Sequence, residues 1–556
     1  MTTPAREVVA SVLRSALDRA AQRNGWQGTA DVSIDPEIPA NPAHGDYATS
    51  VSLRLARPLR KSPRDIANAI AEHVATDGPI ASVEVAGAGF VNVRLAEPWL
   101  RAQVDAIVRD GTAYGRSETL AGKRIQVEFV SANPTGPVTF ANARGGPLGD
   151  VLASVLAFAG ANVEREYYVE DTGTQFENFG ISIAVRYRQL LGEKIDLPDE
   201  GYQGEYIVDI AREIHAREGD RYRSLSVEEQ AKLFSPNGVD WVIRDAKRVC
   251  EKLGIHFDEW FSQAEMMRSG YFEKTLEELR RLGKVYEKDG AVWYRAPEGT
   301  EDHEGWVLVR SNGEPGYFGK DIAYHRFSLV EHNLDLKLDI WGANTHYHLL
   351  QMRDAMSALG LGDRFDVVLY QFVRFLHEGE ILGMSRRRGE FITLEDVLDR
   401  VGKDVTRFFL LQRGADSPLD FDLELAVQQS NENPVYYVQY AHARIASIFR
   451  TASERGMSAD GADLSLLVAP GELAMVRLCL RLPELLADIV QHRGAHLLTV
   501  YALELAGAFH GFYRDHRVVD DANVPLSKAR LRLVQAIQVT LRQTLNLLGV
   551  SAPESM

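Results

Sequence analysis

Cysteine is scarce in this chain, and long uncharged apolar runs are missing from it. Its 556 residues include two cysteines, Cys250 and Cys479, which lie far apart and have no second cysteine or histidine at metal-ligand spacing. A disulfide framework and a zinc site are therefore not expected. The sequence contains no run of about 18 uncharged apolar residues, the length that a membrane-spanning helix needs. Arg6, Arg14 and Asp18 interrupt the apolar positions at the N-terminus, unlike the core of a signal peptide. These absences predict a soluble, cytoplasmic protein.

Three common motifs for nucleotide or zinc binding are also missing. The sequence contains no G-x-x-x-x-G-K-[ST] phosphate loop, no G-x-G-x-x-G turn and no H-E-x-x-H pair. The most frequent nucleotide-binding and zinc-hydrolase interpretations are thereby excluded. Any nucleotide must be bound by another kind of loop.

The charge of the chain is unevenly distributed. Lys and Arg number 62 against 78 Asp and Glu, a net charge of −16, which excludes a uniformly basic nucleic-acid-binding surface but not local basic patches. Residues 431–556 contain 12 basic and 12 acidic residues, so the whole acidic excess lies before them. The length predicts three or four domains.

Hydrophobic periodicity divides the chain into three regions. Residues 5–22 have helical spacing and precede short alternating segments, as in a small α+β domain. From about Gly122, apolar strands alternate with helices, which predicts an α/β domain with a parallel sheet. After Asp404 the helical pattern continues to the end. The predicted domains are 1–118 (α+β), 119–403 (α/β, with a helical insertion at about 171–300) and 404–556 (α-helical bundle).

A basic cluster lies within the first of these regions. Arg54, Arg57, Arg60, Lys61 and Arg64 fall within eleven residues. A run of like charges is commonly a solvated face. The other interpretation is a surface that contacts phosphates, and the pattern alone leaves both open.

A Pro- and Gly-containing turn is the best candidate for a ligand site. The segment VEFVSANPTGPVTFANARGGPLGDVLASVLAFAG runs from a strand through this turn into a helix. In a doubly wound sheet, ligands bind at the carboxyl ends of the strands, where helix N-termini offer N–H groups to anions. The alternative is a tight strand–helix connection without a ligand.

Several ordered segments resemble those of arginyl-tRNA synthetases, a family of class I aminoacyl-tRNA synthetases. The first is VSANPTGP followed by ARGGPLGD, which resembles the signature turn of the class. Others occur in the same order as in the family: GYFGKDIAYH, IWGANTHYH, LGMSRRRGEFITLEDVLDRVGKDVTRFFLL, NPVYYVQYAHARI and GVSAPESM. GDYATS and GAGFVNVRL resemble the family's N-terminal domain. The resemblance therefore covers nearly the entire chain.

The resemblance implies both an architecture and a reaction. It implies a Rossmann-like catalytic domain between an N-terminal tRNA-contacting domain and a helical anticodon-binding domain. The reaction is the arginine–tRNA ligase reaction of protein biosynthesis, in which ATP activates L-arginine and the arginyl group passes to the 3′ end of tRNA(Arg). Mg²⁺ is expected with ATP, no other metal is implied, and the family likeness predicts a monomer.

The physical chemistry of arginine agrees with the residues that match the family's amino acid site. A guanidinium is a planar cation with five donors, so selecting it over lysine requires carboxylates in its plane. We expect Glu128 and Asp321 to meet it from separate strands and Asn133 to hold the α-amino group. Taken alone, Glu128 would be interpreted as a paired strand-end carboxylate. The complete predicted arginine site is Glu128, Ser131, Asn133, Tyr317, Asp321 and Thr345.

The signature turn departs from the family at two histidines. The family has two His residues around a Gly, where this chain has Thr139, Phe140, Ala141 and Asn142. Thr139 and Asn142 are predicted to act catalytically as the remaining hydrogen-bond donors, without the positive charge that stabilises adenylate transfer. The predicted ATP-binding residues are Gly136, Ala141, Asn142, Arg144, Met384 and Ser385.

The second signature, Lys-Met-Ser-Lys in the family, has lost its first lysine. Residues 383–386 are Gly-Met-Ser-Arg, and two further arginines follow. We predict catalytic roles for Ser385, Arg386 and Arg387, the arginines neutralising the departing pyrophosphate, with Arg144 or Lys320 in reserve. Some family members carry a compensating lysine at the position of Gly136. A solvated loop is the alternative for the arginine run.

The helix NPVYYVQYAHARI is the predicted RNA-contacting element of the bundle. By helical spacing Tyr437, Tyr440 and Arg444 share one face, and aromatic rings with guanidinium groups stack on and pair with unpaired bases. Packing within the helix bundle explains any single tyrosine equally well. The resemblance implies anticodon reading here and contact with the tRNA elbow by Arg57, Arg60 and Lys61.

Two other functions are compatible with parts of the sequence. The absence of the two histidines and the lysine is also consistent with a synthetase-like protein that has no catalytic activity and acts as an RNA-binding or regulatory protein. A different nucleotidyl-transfer enzyme on the same sheet would keep ATP and lose arginine selectivity. We favour the active ligase because Glu128, Asn133, Tyr317 and Asp321 are all retained.

Overall fold

The structure is a computed structural model that describes residues 2–297, 305–377, 380–381 and 392–556. Within these ranges, no helix is both long and apolar enough to span a bilayer. The three predicted kinds of architecture are present, an α+β unit, a parallel α/β sheet and a helical bundle.

The N-terminal α+β unit is built on a three-stranded antiparallel sheet of order β1-β3-β2. Its first helix buries Val9, Leu13 and Leu17, which recur every four residues and so form one apolar stripe. Its elements are α1 (Ala5–Asn24), β1 (Tyr47–Thr49), α2 (Val51–Leu59), α3 (Pro63–Ala71), β2 (Ile80–Ala86), β3 (Phe90–Leu95) and α4 (Glu97–Asp110).

The central unit is a five-stranded parallel sheet of order β11-β10-β4-β5-β6. Its strands are β4 (Arg124–Glu128), β5 (Asn162–Val169), β6 (Glu259–Ser262), β10 (Leu336–Gly342) and β11 (Phe365–Tyr370). The chain starts in the middle at β4, adds two strands on one side, and then two on the other. The strand order therefore reverses between β4 and β10, where doubly wound sheets bind ligands. This confirms the predicted Rossmann-like fold.

Four helices connect and cover the strands around this reversal. They are α5 (Phe140–Ala143), α6 (Gly145–Phe158), α12 (Tyr317–Glu331) and α13 (His346–Ala358). Helix α6 is the one predicted after the Pro- and Gly-containing turn. Gly149 on α6 lies against the ring of Phe129, where an added Cβ would be 2.3 Å from the ring, so this helix can pack closely on β4 only with glycine there.

The segment predicted as a helical insertion at about 171–300 also contains strands. The helices are α7 (Thr174–Leu190), α8 (Glu205–Glu218), α9 (Val227–Lys252), α10 (Gln263–Arg268) and α11 (Tyr271–Arg281). The sheet strand β6 lies among them, and β7 (Val285–Lys288) and β8 (Ala291–Tyr294) form an antiparallel sheet with β9 (Trp306–Val309). The sequence pattern missed these strands because each has four residues, too few to show an alternation.

A second small sheet joins the central unit to the bundle. It has the order β13-β12-β14, and α14 is broken at Gly402, whose φ is 79°. The elements are β12 (Val373–His377), β13 (Glu380–Ile381), α14 (Leu394–Leu410), β14 (Leu419–Asp422) and α15 (Leu423–Ala426).

The C-terminal bundle contains four long helices at the positions that the periodicity predicts. They are α16 (Pro434–Glu454), α17 (Pro470–His492), α18 (Leu497–Asp515) and α19 (Val524–Leu548). Helices α17 and α19 pack on both α4 and α6. The hydroxyl of Tyr47 in the first unit donates to Glu484 on α17 at 2.5 Å. Arg407 on α14 donates to Asp150 on α6 at 2.6 Å and to the carbonyl of Leu548 on α19 at 2.8 Å. The bundle is thereby fixed against the other two units.

Candidate active site

A polar cavity of about 320 Å³ lies at the strand-order reversal. It is formed by the carboxyl ends of β4, β5, β10 and β11 together with the first three turns of α12 and the start of α13. All six residues of the predicted arginine site line it: Glu128, Ser131, Asn133, Tyr317, Asp321 and Thr345. The structure therefore brings together residues that are far apart in the sequence, the most distant pair being Glu128 and Thr345.

The chain leaves β4 through a strained turn that places Ser131 against Glu128. Val130 and Ser131 both have positive φ, 68° and 37°, which is a rare conformation for residues other than glycine and most unfavourable for a β-branched one. The Ser131 hydroxyl donates to Glu128 Oε1 and accepts the Tyr168 N–H at 3.1 Å. The turn thus fixes the orientation of the Glu128 carboxylate.

Glu128 is a buried carboxylate with a strongly perturbed pKa. Its second oxygen accepts from Trp341 Nε1 at 3.3 Å, and 5% of the residue is exposed. Burial, and then the charge of Asp339 on the paired strand β10, raise the pKa of Glu128 to about 7, while Lys337 opposes them. A cation that enters beside Glu128 would restore its charged form.

Asp321 faces the same cavity from a helix. The expectation that both acidic residues come from strands is wrong for Asp321, which lies on the second turn of α12. Helix α12 directly precedes strand β10 in the chain, and its N-terminal half lies beside the carboxyl ends of the strands, where Asp321 lines the cavity. Its Oδ2 accepts from His348 Nε2 on α13 at 2.7 Å. Although burial lowers the pKa of His348, the hydrogen bond and charge of Asp321 raise it overall.

A buried charge network supports the floor of the cavity. Lys337, which is fully buried, donates to Gln126 at 2.6 Å, to Tyr324 at 2.8 Å and to Glu166 at 3.0 Å. His325 Nε2 donates to Asp339 at 2.6 Å. A buried charge is stable only when it is paired and hydrogen-bonded. The signal in the sequence was the lysine and aspartate inside LKLDIWGA, an otherwise apolar strand buried on both faces.

Glu170 is a third acidic residue of the cavity that sequence reasoning missed. It lies directly after β5 and lines the cavity. Burial, and then the charge of Asp321, raise the pKa of Glu170 to about 7, whereas Lys320 lowers it. Its position immediately after the strand NVEREYYV was a usable signal, because residues at carboxyl ends of parallel strands converge on the ligand site.

Comparison with known proteins gives the family. Residues 103–409 match the model of the class I tRNA synthetase (R) catalytic domain, residues 7–95 that of the arginyl tRNA synthetase N terminal domain, and residues 438–556 that of the DALR anticodon binding domain. The arginine–tRNA ligase of Carboxydothermus hydrogenoformans is 43% identical over 98% of both chains. The chain belongs to the arginyl-tRNA synthetase family. The arginine–tRNA ligase of Caldanaerobacter subterraneus subsp. tengcongensis is also 43% identical, over 99% of both chains.

A solved structure shows the same fold for an arginyl-tRNA synthetase. The Thermus thermophilus arginyl-tRNA synthetase superposes with a TM-score of 0.77 over 99% of this chain and all of that chain, at 22% identity. The resemblance stated from the sequence is thus confirmed at the level of family and fold.

The diverged signature turn of this chain is built on Phe140. The Phe140 ring is fully buried and lies edge-on to Phe375 at 5.5 Å and to Phe421 at 4.8 Å. The Thr139 hydroxyl donates to Asn142 Oδ1 at 2.8 Å. Of these residues, Asn142 lines the cavity, so its amide N–H groups are the donors that the turn offers there, while Ala141 is half-buried on α5.

Restoring the two family histidines is expected to give no large gain. Thr139 is 4% exposed, so Thr139→His overpacks a turn already filled by Phe140, at a cost of about 1–3 kcal/mol. We expect the double variant Thr139→His/Asn142→His to exchange pyrophosphate no faster than about threefold above the parent. Asn142→His alone is the matched control because Asn142 is half-exposed. A tenfold gain in the double variant would show that the turn retains room for both imidazoles.

A compensating lysine at Gly136, as in other family members, would have to displace Tyr206. A Cβ added there would lie 2.9 Å from the hydroxyl of Tyr206, which donates to Thr135 O at 2.8 Å. The tyrosine of the insertion helix α8 occupies the space. The replacement for the missing lysine must therefore come from elsewhere.

Both reserve cations are engaged in the structure. Arg144 is 1% exposed, and its guanidinium donates to the carbonyls of Gln371, Ser417 and Gly414 at 2.7–2.8 Å, so it holds the loops after β11 and α14. Lys320 donates to Thr172 at 3.1 Å and to Gln263 at 2.9 Å. The ATP-binding role of Arg144 stays a prediction, and in the structure its guanidinium satisfies main-chain carbonyls.

The second signature falls outside the described residues, and this includes Met384, Ser385, Arg386 and Arg387. The described chain resumes at Ile392, whose carbonyl accepts the Phe140 N–H at 3.0 Å. Thr393 forms a β-bridge with Thr139. One flank of the second signature is therefore fixed beside the signature turn.

The predicted RNA-contacting residues of the first unit lie at one turn. Arg57, Arg60 and Lys61 are exposed at the connection between α2 and α3. Within the part of the chain that the structure describes, none of these three side chains forms an ion pair, whereas Arg54 pairs with Asp35 at 2.9 Å. Three unpaired cations on one turn favour the phosphate-contact interpretation.

The bundle carries an arginine-rich cleft of about 770 Å³. The Arg444 guanidinium lies 4.6 Å from the Tyr440 ring and 5.4 Å from the Tyr513 ring. Tyr437 instead packs on His510 at 4.8 Å and does not line the cleft, which suits the packing interpretation for that tyrosine. Sequence reasoning missed several residues of the cleft, among them Arg450, Arg455, Tyr513, Arg514 and Arg517.

Proposed function

We propose that this chain is an arginine–tRNA ligase that activates L-arginine with ATP and transfers the arginyl group to the 3′ end of tRNA(Arg). One observation carries the proposal: Glu128 and Asp321, contributed by a strand and a helix, line a single cavity at the strand-order reversal of the family's catalytic domain. Two carboxylates around one cavity suit a planar cation with donors on several edges. The family membership supports the same reaction.

The substrate's two cationic groups have separate partners in this proposal. The guanidinium lies between Glu128 and Asp321. Asn133 donates its amide N–H to Gln175 Oε1 at 2.8 Å, which leaves its carbonyl oxygen to accept from the α-ammonium. Ser131 orients the Glu128 carboxylate by donating a hydrogen bond to it. Thr345 donates to Gly342 O at 2.7 Å and so stabilises the turn that precedes α13.

Activation forms one bond and breaks another at the α-phosphorus of ATP. An oxygen of the arginine carboxylate attacks that phosphorus, and the bond to the β-phosphate breaks, so pyrophosphate leaves with added negative charge. Asn142 donates to the phosphates from the signature turn, and Thr139 holds Asn142. Arg386 and Arg387 supply the positive charge. Met384, Ser385, Gly136 and Ala141 belong to the proposed ATP site through the family match.

Mg²⁺ is proposed to arrive with ATP. Among the described residues, no group of three or more His, Cys, Asp and Glu side chains is placed to hold a metal. Mg²⁺ commonly binds nucleotide phosphates with few protein ligands. Its ligands here would therefore be phosphate oxygens and water.

The affinity for arginine is expected to rise with pH. Glu128 and Glu170 both have a pKa of about 7 in the free protein, and a bound guanidinium favours their charged forms, so binding lowers both pKa values. Below pH 6 binding must expel protons, and above pH 8 it does not. We expect the dissociation constant to fall by about tenfold or more from pH 6 to pH 8. Calorimetry in two buffers of different ionisation enthalpy at pH 7 should detect proton release, and a pH-independent affinity would contradict this assignment.

The tRNA is proposed to contact all three domains, 1–118, 119–403 and 404–556. Arg57, Arg60 and Lys61 contact phosphates of the elbow, and Tyr440 and Arg444 contact the anticodon in the arginine-rich cleft, with Tyr437 supporting them from the bundle. We also propose a monomer that works in the cytoplasm, where ATP, arginine and tRNA are available.

A charging assay tests the proposal. Purified protein is incubated with ATP, Mg²⁺, tRNA(Arg) transcript and labelled arginine or lysine, and esterified RNA is counted. The proposal expects RNA esterified with arginine only, and no esterification without ATP. RNA binding without esterification would indicate the catalytically silent protein instead.

A further inference from the structure

Two ring N–H groups connect the two carboxylates of the cavity. Trp341, near the end of β10, donates its indole N–H to Glu128 Oε2 at 3.3 Å. His348, on the first turn of α13, donates its Nε2–H to Asp321 Oδ2 at 2.7 Å. The two rings lie against each other with centroids 5.6 Å apart and 30° between their planes. A continuous path therefore runs from Glu128 through Trp341 and His348 to Asp321.

Contacts with α12, α13 and β10 restrain the His348 ring, which also lines the cavity. Its Nδ1 faces Gln351 Oε1 at 3.2 Å. The ring of Tyr317 lies 5.0 Å away and that of Phe318 lies 6.1 Å away. The imidazole is thus fixed in position between α12, α13 and the end of β10, and its Nε2–H points at one carboxylate.

We propose that Trp341 and His348 are positioning residues that set the separation and orientation of Glu128 and Asp321, and thereby the selectivity for a guanidinium. The inference rests on the proposed function. It goes beyond that function because neither ring needs to touch the substrate. Each carboxylate has about four acceptor positions, so one ring N–H on each leaves further lone pairs for arginine.

Fixed carboxylates matter more for arginine than for other amino acids. A guanidinium presents its donors in a rigid planar fork, so both acceptors must lie in one plane at a set distance, whereas an ammonium adapts to acceptors in many positions. A carboxylate that turns freely would lose part of the binding energy to its ordering. The Trp341–His348 contact removes that freedom before arginine arrives.

Three variants separate this role from simple packing. His348→Phe keeps the ring and removes the N–H to Asp321, His348→Gln keeps an N–H donor and removes the ring, and Trp341→Phe removes the N–H to Glu128. The control is His332→Phe, because His332 also faces a carboxylate, Glu164 at 3.7 Å, but lies outside the cavity. Arginine binding is measured by equilibrium dialysis, and arginine and lysine are compared in tRNA-dependent pyrophosphate exchange. Thermal unfolding of each variant reports its folding.

The positioning role predicts a specific pattern of results. We expect His348→Phe to raise KM for arginine by about tenfold or more with a smaller change in kcat, and to reduce the preference for arginine over lysine. His348→Gln should recover most of the KM, Trp341→Phe should resemble His348→Phe, and His332→Phe should resemble the parent.

Equal KM values for His348→Phe and His348→Gln, or an unchanged preference for arginine in a folded His348→Phe, would overturn the inference. If His348→Phe does not fold, the comparison of Trp341→Phe with the parent decides in the same way. Failure of the proposed function looks different: the parent would bind arginine in dialysis and yet esterify no RNA, and the dialysis data would still test the two rings.

Discussion

Asp321→Asn is expected to lower kcat/KM for arginine in tRNA-dependent pyrophosphate exchange by about 100- to 1,000-fold. The substitution keeps the shape of the side chain and removes its charge, so the guanidinium loses one of its two ionic partners inside a cavity where Asp321 is 5% exposed. The substitution also removes the carboxylate that accepts the His348 hydrogen bond and raises the pKa of that imidazole. Truncating one partner of a buried charge pair commonly costs about 2–5 kcal/mol.

The comparison of Asp321→Asn with Asp321→Glu makes this test sharper. The glutamate keeps the charge and moves it by one methylene, so a loss close to that of Asp321→Asn would show that position matters as much as charge. The same assay with Asp335→Asn provides the control, because Asp335 pairs with Lys123 at 2.9 Å beside the amino ends of β10 and β4, away from the cavity at their carboxyl ends. An Asp321→Asn enzyme with nearly parental kcat/KM would remove Asp321 from the arginine site.

Arg386→Ala is expected to lower the rate of adenylate formation by about 100-fold or more, with much less effect on arginine binding. The chain has neither the family's histidine pair nor its first signature lysine. Gly136 faces Tyr206, and Arg144 and Lys320 are engaged by other groups. Negative charge on the departing pyrophosphate is greater in the transition state than in the bound substrates, so loss of Arg386 should mainly lower kcat.

Single-turnover kinetics of adenylate formation, with dialysis for arginine affinity, measure this difference. Arg386→Lys should retain part of the rate because it keeps the charge, and Arg388→Ala is the neighbouring control with an expected loss below about tenfold. Equal losses in rate and in arginine affinity would assign Arg386 to substrate binding and leave the pyrophosphate without its proposed partner.

The parts of the site that follow strand ends could be predicted from the sequence. Glu128 and the turn after it stand where a doubly wound sheet binds ligands, and the structure places them at the strand-order reversal. Asp321 lies in the predicted cavity, but on helix α12 and not on a strand as expected.

The contacts that orient these residues could not be predicted in this way. His348 and Trp341 act through side-chain directions that depend on where α13 begins and how it packs on α12. Arg144 looked like an anion-binding residue at a helix start, yet its guanidinium turns inward to carbonyls that come from residues more than 220 positions away. Sequence spacing gives no information on such long-range partners.

Equilibrium binding of arginine and of citrulline tests the central claim most directly. Citrulline keeps the shape of arginine and has no charge, so the two differ only in what the paired carboxylates recognise. We expect the parent protein to bind arginine about 100-fold or more tightly than citrulline, and the double variant Glu128→Gln/Asp321→Asn to bind both with similar, weak affinity. Equal affinity of the parent for arginine and citrulline would contradict the account.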